Sequence, residues 1–290
     1  MGPPGVPVKR SQKRRGRKGV RGSRGARSAR PASPEVHDAA GIEGMRAAGR
    51  LAAELLDRIG EMIGPGVSTA EVDELVDEIT EKNGAVSAPY GYGSPPFPGH
   101  CCTSVNDVVC HGIPDAGRVL QSGDIVNVDV TPLLDGYHGD SSRTFLIGEV
   151  TPVARRLVAD TYRSLWLGIR SVKPGGRVGD IGHAIQTFIE AQGHSVVREF
   201  TGHGIGRVFH TPPAVLHYGR PGEGEVLLPG TTFTIEPMVN LGQWKTQILD
   251  DGWTAVTTDG MLSAQWEHTC LLTEDGLEVL TLGSSETPPL

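Results

Sequence analysis

Two stretches of the chain alternate apolar and polar residues with a period of two, 125–133 (IVNVDVTPL) and 137–147 (YHGDSSRTFLI). They read as β-strands joined at Leu134-Asp135-Gly136-Tyr137, where Asp-Gly is a strong hairpin signal. With Asp135 and Gly136 as a two-residue loop, Leu134 faces Tyr137 and paired residue numbers sum to 271. Asp129 then opposes Ser142, and Asp140 lies diagonally on the same face. Asn127, Asp129, His138, Asp140 and Ser142 share that face, while Val126, Val128, Val130 and Tyr137 take the other. Diagonal neighbours lie roughly 7–8 Å apart, near enough for both carboxylates to hold metal. A three-residue loop would separate the two aspartates onto opposite faces. Taken alone, the pair reads equally well as two solvated strand aspartates.

A helical period occurs in two matching places. Gly64-Pro65-Gly66-Val67-Ser68-Thr69 precedes apolar positions Val72, Leu75, Val76 and Ile79. Lys173-Pro174-Gly175-Gly176-Arg177-Val178 precedes Ile181, Ala184, Ile185 and Phe188. The offset is 109 residues, and Gly84 maps onto Gly193. Ser68 or Thr69 serves as N-cap of the first helix, with Glu71 in its first turn. Further helices are expected over about 38–60 and 152–172, repeating at a similar spacing. The pattern implies two α+β halves, each exposing an apolar sheet face unless paired with the other.

Chemistry gathers in four more motifs. In TGHGIGRVFH, His203 stands between Gly202 and Gly204, whose missing side chains allow close backbone approach or positive φ. His210 closes the same motif and by itself reads equally as a core histidine. Glu236 follows the apolar strand Thr232-Phe233-Thr234-Ile235, and Pro237 then removes a ladder donor, so an edge or an interruption is expected there. Glu267 runs directly into Thr269-Cys270-Leu271-Leu272. Asp129, Asp140, His203, Glu236 and Glu267 make a hard, anionic donor set. It suits two divalent first-row ions better than one structural zinc and points to metal-assisted hydrolysis.

Over about residues 35–282, these ordered motifs resemble the type I methionine aminopeptidases of peptidase family M24. The resemblance implies an α+β pita-bread fold, two pseudo-twofold-related halves around a dinuclear metal site. It implies that Asp140 and Glu267 bridge two divalent ions (Co, Mn, Fe or Zn) while Asp129, His203 and Glu236 complete their shells. Asn106-Asp107-Val108-Val109-Cys110-His111-Gly112-Ile113-Pro114 matches the family's histidine motif, which gives His111 a substrate-binding and catalytic role. His210 matches the second such histidine, and Glu236 the group that moves protons. Cys102, Phe97, Phe209 and Trp253 would line a methionine pocket. The implied reaction removes the initiator methionine from nascent polypeptides when the second residue is small. Two departures fall near the pocket: the run Gly91–His100 differs from the usual aromatic-Pro-Lys segment, and Trp266 replaces a smaller aromatic. Only 26 positions separate His210 from Glu236, too few for the helical insertion of type II enzymes, and the chain has no CxxC pair. Two rival readings are a proline-specific aminopeptidase, which usually carries a large extra N-terminal domain, and a non-catalytic pita-bread protein that binds RNA or ribosomes.

Composition refines this picture. No apolar run reaches the length of a bilayer span. Cys101, Cys102, Cys110 and Cys270 have no disulfide-framework spacing and no secretory signal is evident, so free thiols in a cytoplasmic, monomeric protein are expected. Charge is divided sharply. Residues 1–34 hold 11 Lys or Arg and no acid, whereas the remaining 256 hold 16 basic and 34 acidic residues, a net −18. The Gly, Pro, Arg and Ser of residues 1–34 cannot bury enough apolar surface to order, so a disordered tail precedes a catalytic domain over 35–290. The tail reads either as a solvated extension or as an arm that contacts ribosomal phosphate. Its many Gly and Pro residues oppose a transit peptide.

Overall fold

The computed structural model describes residues 33–289. The basic tail expected over residues 1–34 lies outside them apart from its last two positions. Four helices carry most of the apolar cover: α1 (Ala39–Met62), α2 (Thr69–Lys82), α3 (Pro152–Ser171) and α4 (Val178–Ala191). Ser68 caps α2 by accepting from Glu71 N at 3.2 Å while the Glu71 carboxylate accepts from Ser68 N at 2.7 Å. A cap of this kind contributes about 1 kcal/mol. Asp180 does the corresponding work at the start of α4, accepting from Arg177 N at 2.9 Å.

The central sheet contains β1 (Cys102–Val105), β2 (Ile125–Val130), β3 (Ser141–Leu146), β4 (Gly202–Gly204), β5 (Thr211–Val215), β6 (Thr232–Ile235), β7 (Glu267–Leu272) and β8 (Leu277–Val279). Its order is β5-β4-β6-β7-β3-β2-β1, with β8 on β7, and every pairing is antiparallel. Alternation along each strand sorts the two faces. Val126, Val128 and Val130 of β2 pack with Leu55, Leu56 and Ile59 of α1 and with Val72 and Val76 of α2. Phe233 and Ile235 of β6, with Cys270 and Leu272 of β7, pack with Leu165 and Ile169 of α3 and Ile181 and Ile185 of α4. One helix pair therefore covers each half of the sheet on one side. Polar residues of the same strands are left facing the other.

The sequence repeat is physical. Isolated bridges Ser68↔Val119 and Arg177↔Val226 start the second helix of each half. Gly66 and Gly175 both take positive φ, as do Gly84 and Gly193. The short strand at Val86–Ser87 has its counterpart at Ser195–Val196, again 109 residues on. Among the described residues, no helix is long and apolar enough to cross a membrane.

The hairpin at Asp135-Gly136 holds the expected register throughout. Leu134 pairs with Tyr137 and Leu133 with His138. Beyond the turn, Val130 pairs with Ser141 and Asp129 with Ser142. Both loop residues take positive φ, 49° and 84°, as a type I′ turn requires. The strands are not continuous, however. The pairing breaks at Thr131 on one arm and at Gly139-Asp140 on the other, which leaves separate short strands at Pro132–Leu134 and Tyr137–His138. The break follows from packing: α1 passes so near Gly139 that any Cβ there would collide with the Ala48 carbonyl oxygen.

Candidate metal centre

Four strand ends and one strand centre bring the acidic residues together. Asp129 lies on β2, Asp140 immediately before β3, His203 in the middle of β4, Glu236 immediately after β6, and Glu267 at the start of β7. Ser142 is the hinge of this geometry, paired with Asp129 on one side and with Glu267 on the other. Cys102 extends the row as the partner of Asp129. Ile235 pairs with His268, so the same register carries Glu236 alongside Glu267. The expected interruption at Pro237 is real, but β6 is an interior strand between β4 and β7 rather than an edge.

The glycines flanking His203 serve close approach and not unusual φ. A Cβ on Gly202 would strike the Thr234 carbonyl oxygen, and one on Gly204 the Pro212 carbonyl oxygen. With both neighbours bare, β4 is drawn in against β5 and β6, and the imidazole reaches the carboxylates. His203 Nε2 lies 3.5 Å from Asp140 Oδ2 and 3.7 Å from Glu236 Oε1. Ligand atoms of Asp140, His203 and Glu267 all fall within 4.8 Å of one another. Asp140 is 4% exposed and Glu267 2%.

Neighbouring side chains hold these groups in place. Thr131 donates to Asp140 Oδ1 at 2.8 Å, and Thr269 donates to the Asp140 carbonyl at 2.7 Å. Thr234 donates to Glu236 Oε1 at 2.7 Å, and Gln265 Nε2 reaches Glu236 Oε2 at 3.5 Å. His217 Nε2 accepts from Glu236 N at 3.0 Å, and burial pushes that imidazole down to about 3. Of these, Thr131, Thr234, Gln265 and Thr269 stand two residues from a carboxylate of the cluster. Strand alternation therefore identifies them, although the sequence reading did not single them out. Nothing in the sequence marks His217.

Electrostatics define what the cluster lacks. Burial, followed by repulsion from the other carboxylates, raises the carboxyls of Asp129 and Glu267 well above their ordinary values. Burial likewise raises Glu236 to about 7, aided by Asp140 and opposed by His203. For His203, burial alone would favour the neutral ring, but Asp140 and Glu236 outweigh it and raise the pKa. In the neutral ring, Nδ1 lies 3.1 Å from the Gly204 carbonyl, which can only accept, so the proton sits on Nδ1 and Nε2 offers a lone pair. Both sets of shifts have one source: carboxylates crowded together in a water-poor site hold protons on themselves and on His203 because no fixed positive charge stands among them. The deficiency is one of positive charge, and the donors are those that hard or borderline divalent cations bind.

The remaining sequence candidates form two groups at the rim. Phe97 meets Trp253 edge-on at 5.3 Å, and Trp253 meets His111 at 6.1 Å. His111 also packs on Phe200 at 5.4 Å, a residue the sequence did not flag. Its φ is 56°, and burial lowers its pKa, so the imidazole is neutral and can donate or accept. In the second group Phe209 stacks on His138 at 5.3 Å and lies 4.1 Å from His210, whose ring is 4.2 Å from that of His203. His210 precedes β5 rather than lying in a strand. Cys102 is buried, and burial with the Asp129 charge raises its thiol well above the usual range. It stands here as a small apolar wall, not a nucleophile.

The chain matches the model of metallopeptidase family M24 over residues 43–274. It is 59% identical over 242 residues to methionine aminopeptidase A of Synechocystis sp., covering 83% of this chain and 95% of that protein. It is 53% identical over 249 residues to the methionine aminopeptidase of Escherichia coli K12, covering 86% and 94%. The crystal structure of a methionine aminopeptidase from Rickettsia prowazekii superposes with a TM-score of 0.84 at 47% identity, covering 86% of this chain and all of that one.

Proposed function

We propose that this chain, which belongs to metallopeptidase family M24 and within it to the methionine aminopeptidases, removes initiator methionine from the N-termini of newly made proteins. Its architecture is the pita-bread fold of that family. The observation that carries the chemistry is the cluster itself: ligand atoms of Asp140, His203 and Glu267 within 4.8 Å of one another, with Glu236 3.7 Å from His203, short of positive charge.

Asp129, Asp140, His203, Glu236 and Glu267 would hold two divalent ions. Cobalt, manganese, iron and zinc all suit this donor set. The chemistry such ions supply is Lewis-acid activation of water and of a peptide carbonyl. Glu236 takes a proton from the attacking water and returns it to the departing amine. His111 hydrogen-bonds the scissile amide nitrogen, and His210 binds the carbonyl side. Phe97, Cys102, Phe209 and Trp253 enclose the methionine thioether, while the next residue must be small. We assign the basic residues 1–34 to contact with ribosomal phosphate, which would raise the concentration of the enzyme near nascent chains, and we read the enzyme as monomeric and cytoplasmic.

The test is cleavage of Met-Ala-Ser by metal-stripped protein reconstituted with each ion in turn, with bound metal quantified. Activity restored at two ions per chain supports the reading. Undiminished cleavage by thoroughly stripped protein would refute it.

A further inference from the structure

Tyr92 sits on a loop fastened by its own backbone. Gly91 N donates to Phe97 O and Phe97 N to Tyr92 O, each at 2.8 Å, and Tyr92 N donates to Pro89 O at 3.0 Å. Trp253 secures the far side by donating its Nε1–H to Pro95 O at 2.9 Å, with its indole pressed against Gly93 where any Cβ would collide. The phenol is thus carried on well-anchored backbone. Its ring meets Phe209 edge-on at 5.2 Å, and its hydroxyl lies 2.9 Å from His210 Nδ1. Tyr92 is 40% exposed, so water could satisfy this hydroxyl. Burial does not demand the bond to His210. Position does.

A neutral imidazole carries one N–H and one lone pair, and the partner of one nitrogen decides the state of the other. A peptide carbonyl can only accept. For Nε2 of His210 to serve a carbonyl, Nε2 must carry the proton and Nδ1 the lone pair. The phenol O–H is the donor that matches such an Nδ1. We propose that Tyr92 is a positioning residue for peptide cleavage, whose hydroxyl donates to His210 Nδ1 and holds His210 as the Nε2–H tautomer aimed at the scissile carbonyl. This rests on the placement of His210 on the carbonyl side of the substrate.

Full-length zinc-loaded enzyme tests it, with Tyr92→Phe, His210→Ala and the double variant. Phenylalanine keeps the ring on Phe209 and removes only the hydroxyl. Tyr92→Phe should lower kcat on Met-Ala-Ser by about fivefold, the size one neutral hydrogen bond supports, and leave KM within about twofold. Adding Tyr92→Phe to His210→Ala should cost nothing more, because the tyrosine acts through that ring. Nitrogen-15 spectra of histidine-labelled enzyme should show His210 as a single Nε2–H species in the wild type and a tautomer mixture in Tyr92→Phe. If His210→Ala is impaired while Tyr92→Phe matches wild type in rate and spectrum, the inference fails and the substrate role of His210 stands. A further loss of rate in the double variant also overturns it. Full activity in His210→Ala would instead remove the substrate role beneath it.

Discussion

Asp129 faces Ser142 across the β2–β3 pair, and Ser142 in turn faces Glu267, so one serine spaces two carboxylates along a single cross-strand row. That row begins 13 residues apart in sequence and ends 138 residues from where it started, at Glu267. Because neighbouring strands are about 5 Å apart, a row of this kind brings distant acids to metal-sharing separation only when every register is held.

The cluster's chemical role can be isolated from its structural one. His203→Ala and Glu236→Gln should each reduce Met-Ala-Ser cleavage by about 100-fold or more in metal-replete buffer, while circular dichroism remains that of the wild type. His203→Ala should also bind less metal, since it removes the one neutral donor of the set. Wild-type turnover in either variant would defeat the assignment.

Selectivity should follow the two rim groups. Met-Ala and Met-Gly peptides should exceed Met-Leu and Met-Lys by more than about tenfold in kcat/KM, and Leu-Ala should be poor. Phe97 and Trp253 pack edge-on against each other and present an apolar, polarisable wall of the kind a thioether favours. Equal rates on Leu-Ala and Met-Ala would identify a general aminopeptidase.

Chelation should give stability a pH dependence of definite sign. Glu236 rises from an ordinary 4.5 to about 7 in the fold, chiefly through burial, and Asp129 and Glu267 rise as well. A carboxyl with a raised folded pKa binds its proton more tightly when folded. Its contribution is therefore complete below about pH 4.5 and lost as pH climbs through about 7. Metal-stripped protein should lose Tm between about pH 5 and 7.5 relative to metal-loaded protein, and Glu236→Gln should flatten part of that slope. A stripped protein whose Tm climbs relative to the loaded form over this window would contradict the electrostatic account.

The basic N-terminal residues should be separable from catalysis. Deleting residues 1–34 removes 11 cations from a chain whose remainder carries a net −18. Peptide turnover should be nearly unchanged, while co-sedimentation with ribosomes at low salt should weaken. Binding of the intact chain should fall steeply with added salt, as counterion release requires. Equal ribosome binding by the truncated enzyme would leave these residues as a solvated extension.

Local rules were enough to derive a substantial part of this protein from its sequence. The Asp135-Gly136 turn needs positive φ at both positions, and that requirement alone sets the 271 register and places Asp129 against Ser142. Capping chemistry located the start of α2 at Ser68, and the 109-residue repeat located its partner α4. The five acidic and imidazole residues were legible because each sits beside a glycine, a proline or an apolar strand that makes a bare charge conspicuous. What the sequence could not decide were relations between strands far apart in the chain. Ser142 meets Glu267 and His203 turns its Nε2 toward Asp140 because β7 inserts between β3 and β6 and closes the two halves into one sheet, and His217 reaches the backbone of Glu236 across the β5-β4-β6 side of it. The break before Asp140 was likewise invisible to alternation, since it arises where α1 crowds Gly139. Short-range periodicity reports which face a residue takes. Which other face it meets depends on long-range pairing and on the volume of whatever packs behind it.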